Sequence, residues 1–169
     1  MSAPACTIRF AGPGDTPTIF GLIRALAEYE RLSHEVTGTE AELREHLFGA
    51  RPFAEVLLAE VDGENVGFAL FFHNYSTFLT RPGIYLEDLF VLPERRGRGY
   101  GKALLSCLAR IATERGCGRQ EWSVLNWNEP SIAFYTSLGA AQMGEWTVNR
   151  VTGDALTQLA SVGPVALRS

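Results

Sequence analysis

Val91-Leu92-Pro93-Glu94-Arg95-Arg96-Gly97-Arg98-Gly99-Tyr100-Gly101-Lys102 sets three glycines at alternate positions in a basic loop. Before it, Ile84 to Leu92 reads as a long strand that Pro93 ends. After it, Leu104, Leu105, Leu108 and Ala112 share one side of a helix that Gly116 stops. A strand that enters a glycine-rich turn and opens a helix lets backbone N–H groups converge on one anion. Glycine allows the turn and close approach, and the helix N-terminus adds free donors and the positive end of its dipole, which together favour phosphate. Two common phosphate loops do not fit. A Walker A loop needs Gly at position 96 and Ser or Thr at 103, where the chain has Arg96 and Ala103. A dinucleotide Gly-x-Gly-x-x-Gly starting at Gly97 needs Gly at 102, where Lys102 stands.

Charge agrees with an anion site. The segment from Glu94 to Arg119 carries Arg95, Arg96, Arg98, Lys102, Arg110, Arg115 and Arg119 against only Glu94 and Glu114, in a chain whose formal net charge is −4. A localised positive field concentrates anionic ligands, and the acidic remainder suits a cationic second ligand. No long basic stripe with interleaved aromatics occurs, so nucleic acid is not an expected partner.

With 169 residues, 46% apolar and 20% charged, the chain is long enough for one compact domain, 1–169, with its core from about residue 7 to 160. Cys6, Cys107 and Cys117 cannot pair completely and show no zinc spacing, and His34, His46 and His73 are scattered. Free thiols and no metal are expected. The longest apolar run, Val66 to Phe72, is far short of the roughly 20 residues that cross a bilayer. The first residues lack a basic-then-apolar leader, so no membrane association and a cytoplasmic location are expected.

Along the chain, Thr7 to Phe10 reads as a first strand, and Thr16 as an N-cap with Pro17 at the first helical position. Ile19, Leu22, Ile23 and Leu26 line one face of that helix, which ends near Tyr29-Glu30-Arg31. Thr39 and Glu42 form a capping-box pattern opening a second helix through Leu43 and Leu47. Val56 to Val61 and Val66 to Phe72 read as a hairpin turning at Asp62-Gly63, and His73 to Pro82 as a loop. In the long strand, strict alternation puts Ile84, Leu86, Asp88 and Phe90 on one face and Tyr85, Glu87, Leu89 and Val91 on the other. Arg119 to Val124 is expected as a strand, Ser131 to Leu138 as a helix, Met143 to Val151 as a strand, and Leu156 to Leu159 as a short amphipathic piece. The class is α/β with a mixed, mostly antiparallel central sheet flanked by helices.

The order Arg96-x-x-Gly99-x-Gly101 after a strand resembles the acetyl-CoA pyrophosphate loop of the GNAT acetyltransferase superfamily. Tyr85-Leu86-Glu87-Asp88-Leu89-Phe90-Val91, Trp127-Asn128-Glu129-Pro130-Ser131-Ile132-Ala133-Phe134-Tyr135 and Leu138-Gly139-Ala140 resemble its diamine family, the spermidine/spermine and thialysine acetyltransferases. Leu26-Ala27-Glu28-Tyr29-Glu30 extends the likeness to the first helix.

The resemblance implies the GNAT fold and transfer of acetyl from acetyl-CoA to a primary amine of a small cationic diamine, polyamine or lysine-like amino acid such as thialysine. Such an amine has a pKa near 10.4 and must lose a proton before it attacks, so a base or a water path is required. Glu87, on the strand just before the loop, is the candidate base and substrate carboxylate. Tyr135 matches the phenol that protonates the leaving thiolate. The loop from Arg96 through Gly97, Arg98, Gly99, Tyr100, Gly101 and Lys102 would hold the cosubstrate's phosphates, with backbone N–H groups of Leu89, Phe90 and Val91 meeting the developing oxyanion. Asn128 and Ser131 match positions on the CoA arm, and Tyr29 and Glu30 match the amine site. A homodimer with exchanged C-terminal strands is also implied.

The chain departs from the family in places. It turns directly at Asp62-Gly63 where animal members carry an insertion, and Tyr75-Ser76-Thr77-Phe78 and Leu32-Ser33 lean toward the thialysine branch. Thr136 and Ser137 stand where many relatives have basic residues for the CoA 3′-phosphate, leaving Arg95, Arg98 or Lys102 to compensate. Acetylation of a protein or peptide amine, and a non-catalytic CoA-binding module, are the alternative readings.

Overall fold

The computed structural model describes residues 6–162, which fall into two compact units dividing between Ser123 and Val124. Among the described residues no helix is long and apolar enough to cross a membrane.

The first unit runs β1 (Cys6–Phe10), α1 (Thr16–Tyr29), α2 (Glu40–Phe48), β2 (Glu55–Val61), β3 (Glu64–Ser76), β4 (Arg81–Val91), α3 (Tyr100–Glu114) and β5 (Gln120–Trp122). The strands form one sheet in chain order, antiparallel from β1 through β4, with β5 parallel to β4. The mixed, mostly antiparallel sheet with flanking helices is as the sequence predicts.

Local chemistry explains the starts and turns. Asp15, rather than Thr16, precedes the first turn of α1, and its carboxylate accepts the Gly12 N–H at 2.7 Å and both terminal nitrogens of Arg9 at 2.7 and 2.8 Å. Those bonds hold the Asp15 carboxyl down at about 2, and Arg9 also reaches Glu60, tying α1 to β1 and β2. Thr39 and Glu42 cap α2 reciprocally, as expected: the Glu42 N–H donates to Thr39 Oγ1 and the Thr39 N–H to Glu42 Oε2. Asp62 and Gly63 both take positive φ, 52° and 81°, which makes the two-residue turn that best matches strand twist.

The sheet separates two packed faces. Ile19 and Leu22 of α1, Leu47 of α2, Val56 and Leu58 of β2, Phe68 of β3 and Phe90 of β4 form one buried cluster. Leu104, Leu105, Leu108 and Ile111 of α3 are buried on the other side, where Arg115, just past the helix, lies over the rings of Phe10 and Phe71. Each such apolar side chain contributes roughly 1.5–3 kcal/mol on full burial.

Three expectations are corrected. The segment from His73 to Pro82 is mostly strand, because β3 and β4 continue as a paired hairpin to Ser76 and Arg81; only residues 77–80 turn. Its polar residues disguised the strand because this end of the hairpin extends past β2, whose pairing begins at Glu55–Phe71. Second, β5 spans three residues, not six. Third, Met143 to Val151 forms no strand among the described residues, although its β-branched and aromatic residues suggested one: a strand needs a neighbouring ladder, and none is present for it here.

A fourth correction concerns β4. Leu70 pairs with Asp88 and Phe71 with Leu86, so Glu87 is an extra residue, a β-bulge. Consecutive residues of β3 point to opposite faces, so their partners do too. Leu86 lies with Phe71 on the α3 face, whereas Asp88 lies with Leu70 and Phe90 on the α1 face.

In the second unit, α4 (Glu129–Ser137) and α5 (Gly153–Ser161) are its helices among the described residues. Asn128 caps α4, its Oδ1 accepting the Ser131 N–H at 3.3 Å, with Pro130 in the first turn. Glycine at 139 follows with positive φ. Met143, Trp146, Val148, Leu156 and Leu159 are exposed.

Candidate active site

The loop between β4 and α3 is shaped to receive an anion. Gly97 and Gly99 take φ of 75° and 85°, the left-handed region, and a Cβ at either position would stand in open space. Gly99 is the N-cap of α3 and offers no side chain, and the Ala103 N–H is the first to find an intrahelical acceptor, Gly99 O at 2.9 Å. The donors of Tyr100, Gly101 and Lys102 therefore belong to the first helical turn, which has no acceptor of its own. These features fit a phosphate-bearing cosubstrate at the positions the sequence singled out.

The loop's charge is less available than its composition suggests. Arg95 pairs with Glu64, Arg110 with Glu114, Arg115 with Glu55 and Arg119 with Glu121. Arg96 is also committed, its Nε donating to Val91 O at 2.9 Å and its guanidinium lying 4.1 Å over the ring of Tyr29 and 5.5 Å from that of Phe90. Among the described residues, Arg98 and Lys102 are the members of this basic segment without an ion pair or side-chain hydrogen bond.

Beside the loop, the end of β4 is open on one edge. The Leu92 N–H donates to Val66 O at 2.9 Å, and the two-residue period of the antiparallel ladder then directs the N–H groups of Phe90 and Asp88 to β3. Those of Leu89 and Val91 point the other way, toward the β5 side, where pairing stops at Leu86–Trp122. Of the expected oxyanion donors, Leu89 and Val91 are directed outward. Phe90 instead contributes its ring, against Tyr29 at 6.4 Å between centroids.

Three carboxylates gather on the same part of the first unit. Glu87 is exposed in the bulge, Asp88 is partly buried beside it, and Glu30 caps the C-terminal end of α1. Burial, then the charges of Glu87 and Glu30, push the Asp88 carboxyl up to about 6. Burial also raises that of Glu30. Strict alternation hid Asp88. The signal in the sequence was the clash that strict alternation created, an acidic residue assigned to the same face as the apolar Ile84, Leu86 and Phe90.

Asn128, Ser131 and Tyr135 belong to α4 in the second unit. Asn128 is buried and uses Oδ1 for its capping bond, while Tyr135 is partly buried with its ring 5.3 Å from that of Phe134.

Loop, sheet and helices together define a fold for acyl transfer, and comparison with known proteins agrees. The acetyltransferase (GNAT) family model matches residues 23–140, and the chain belongs to that family. It is a GNAT N-acetyltransferase, an enzyme class that draws acetyl from acetyl-CoA. It is 41% identical to a thialysine N-epsilon-acetyltransferase of Bos taurus, over 90% of this chain and 96% of that one. An L-ornithine N5-acetyltransferase of Arabidopsis thaliana is 36% identical, covering 88% and 85%. Among solved structures, an integron cassette protein from the mobile metagenome of V. cholerae superposes with a TM-score of 0.79 at 26% identity, covering 92% and 98%.

Proposed function

We propose that the chain acetylates the primary amine of a small cationic diamine, polyamine or lysine-like amino acid such as thialysine, by direct attack in a ternary complex. The observation that carries this reading is the set of three carboxylates, Glu30, Glu87 and Asp88, at the junction of α1 and β4. A partly buried acidic cluster attracts an ammonium and is poorly suited to an anionic acceptor. The acceptors in the names of the thialysine and ornithine relatives are small amines of this kind.

Acetyl-CoA supplies an acetyl thioester, and the backbone of Gly97 to Lys102 with Arg98 and Lys102 would hold its phosphates. Glu87, exposed in the bulge, takes the amine proton through water, and Asp88 and Glu30 hold a cationic group of the acceptor. The outward N–H groups of Leu89 and Val91 stabilise the oxyanion, a contribution of roughly 3 kcal/mol per donor. As the amine nitrogen bonds to the carbonyl carbon and the C–S bond breaks, the sulfur takes up a proton, a role that the family resemblance gives to the phenol of Tyr135. No covalent enzyme intermediate is required.

The experiment is thiol release from acetyl-CoA with spermidine, putrescine, 1,3-diaminopropane, thialysine, ornithine, lysine and a lysine-containing peptide. Strong turnover of a small amine is expected. Turnover of the peptide alone, or CoA binding without turnover of any acceptor, would overturn the reading. The exposed Met143, Trp146, Val148, Leu156 and Leu159 further support a homodimer in which a second copy covers this segment. Sedimentation as a monomer at micromolar concentration would remove it.

A further inference from the structure

We infer that Arg96 is a positioning residue that braces the donor loop against the amine-side wall, not a charge that binds the donor. This rests on the acetyl-transfer reading above. Arg96 is the first residue of the Arg-x-x-Gly-x-Gly signature, where a cation beside a phosphate loop invites an anion-binding role. Its side chain is directed elsewhere. The Nε–H is bonded to Val91 O at 2.9 Å, the last residue of β4, and the guanidinium lies 4.1 Å from the Tyr29 ring centroid on α1 and 5.5 Å from that of Phe90. Tyr29 and Phe90 in turn lie 6.4 Å apart.

The consequence follows from what each partner adjoins. Val91 carries one of the two outward N–H donors, Tyr29 precedes Glu30, and Phe90 follows Leu89 and lies on the same face as Asp88. One planar side chain therefore fixes the spacing between the loop, the oxyanion donors and the carboxylates. Tyr29 is 40% exposed, and the Arg96 guanidinium and the Phe90 ring are the two groups that meet its ring from β4 and the loop after it.

The brace needs a donor at the Nε position and a flat group to stack; a net anion-binding role needs only charge. Glutamine places its amide nitrogen where arginine has Nε, and so can keep the bond to Val91 O, but it is uncharged and stops short of the Cζ that lies over the Tyr29 ring. Lysine keeps the charge and has a methylene there. The two substitutions therefore separate the roles in opposite orders. Arg96→Gln is expected to hold both the CoA affinity, measured by calorimetry, and the amine KM to within about threefold of the parent, whereas Arg96→Lys raises the amine KM about tenfold. Tyr29→Leu, remote from any phosphate contact, is expected to weaken CoA binding about threefold, with no further loss when Arg96→Lys is added, because both remove the same brace.

Parent-like behaviour of Arg96→Lys with a tenfold loss of CoA affinity in Arg96→Gln would overturn the inference, as would unchanged CoA affinity in Tyr29→Leu or additive losses in the double variant. Thermal melts establish that each variant is folded. Should Arg96→Lys fail to fold, Arg96→Gln and Tyr29→Leu still decide the matter. The calorimetric comparisons do not depend on turnover, so failure of the acceptor assignment would show separately, as absent acetyl transfer in the parent.

Discussion

Leu86 and Asp88, two residues apart on one strand, face opposite sides of the sheet because Glu87 is inserted between them as a bulge. A pattern of period two would have put both in the same core. The bulge instead sends Asp88 to the α1 side, near Glu30, and leaves Glu87 exposed.

Asp88 gives the protein a titration near pH 6. Its folded pKa lies above the ordinary 3.8, so the folded form binds the proton more tightly, and the carboxyl lowers stability as pH rises from about 4 through 6. Asp88→Asn is expected to raise the Tm of the ligand-free protein at pH 7.5, by the equivalent of about 1–2 kcal/mol, with the gain shrinking toward pH 4. In the parent, the amine KM should fall between pH 5 and 7 as the carboxylate forms. That step should vanish in Asp88→Asn.

Glu87→Gln is expected to lower kcat by about 10²-fold, and Tyr135→Phe by about 10-fold to 10²-fold, with CoA affinity unchanged in the first. The loss in Glu87→Gln should lessen at high pH, where more of the amine is already neutral. Stopped-time thiol assays across pH 6.5–10 check this, and unchanged turnover in both variants would remove the assigned roles.

Arg98 and Lys102 are expected to carry the charge-dependent part of CoA binding. Replacing both with alanine should weaken CoA about 10²-fold, at roughly 1.5 kcal/mol per charged contact. If they take the 3′-phosphate in place of basic residues at 136 and 137, dephospho-CoA should lose far less affinity from the same change. Calorimetry with the two ligands reads the difference.

Gly67 faces β4 so closely that a Cβ there would lie 2.6 Å from Phe90 O and 3.2 Å from Val91 Cα. Gly67→Ala is expected to destabilise the protein by about 1–3 kcal/mol, an overpacking cost borne by backbone that cannot turn aside. Denaturant unfolding measures the loss, and a shift at Leu89 or Val91 amides by NMR would show that it reaches the proposed oxyanion donors.

How much of this was legible beforehand depends on the scale of the signal. Local chemistry was readable: the Thr39–Glu42 cap, the Asp62-Gly63 turn and the glycine loop each rest on a few adjacent residues. Relations across the sheet were not. The bulge at Glu87 exists only in the register between β3 and β4, and the neutralisation of the basic segment depends on Glu55 and Glu64, up to 60 residues away in the chain. Arg96 was visible as part of a motif, but its ring partners were not, since Tyr29 reaches it from a different element.

The order of strands in the sheet is also the order in which they are synthesised. Every antiparallel pair from β1 to β4 joins neighbours in that order, so a chain emerging N-terminus first can close four strands, with α1 and α2 on their core, once Val91 is free of the ribosome. The parallel pairing of β5 needs the crossover through α3 and must come later. The nascent chain would thus assemble the acidic cluster of Glu30, Glu87 and Asp88 before the helix whose N-terminus is proposed to hold the donor. A truncation series ending near residue 92 should then retain protease-resistant structure while binding no CoA.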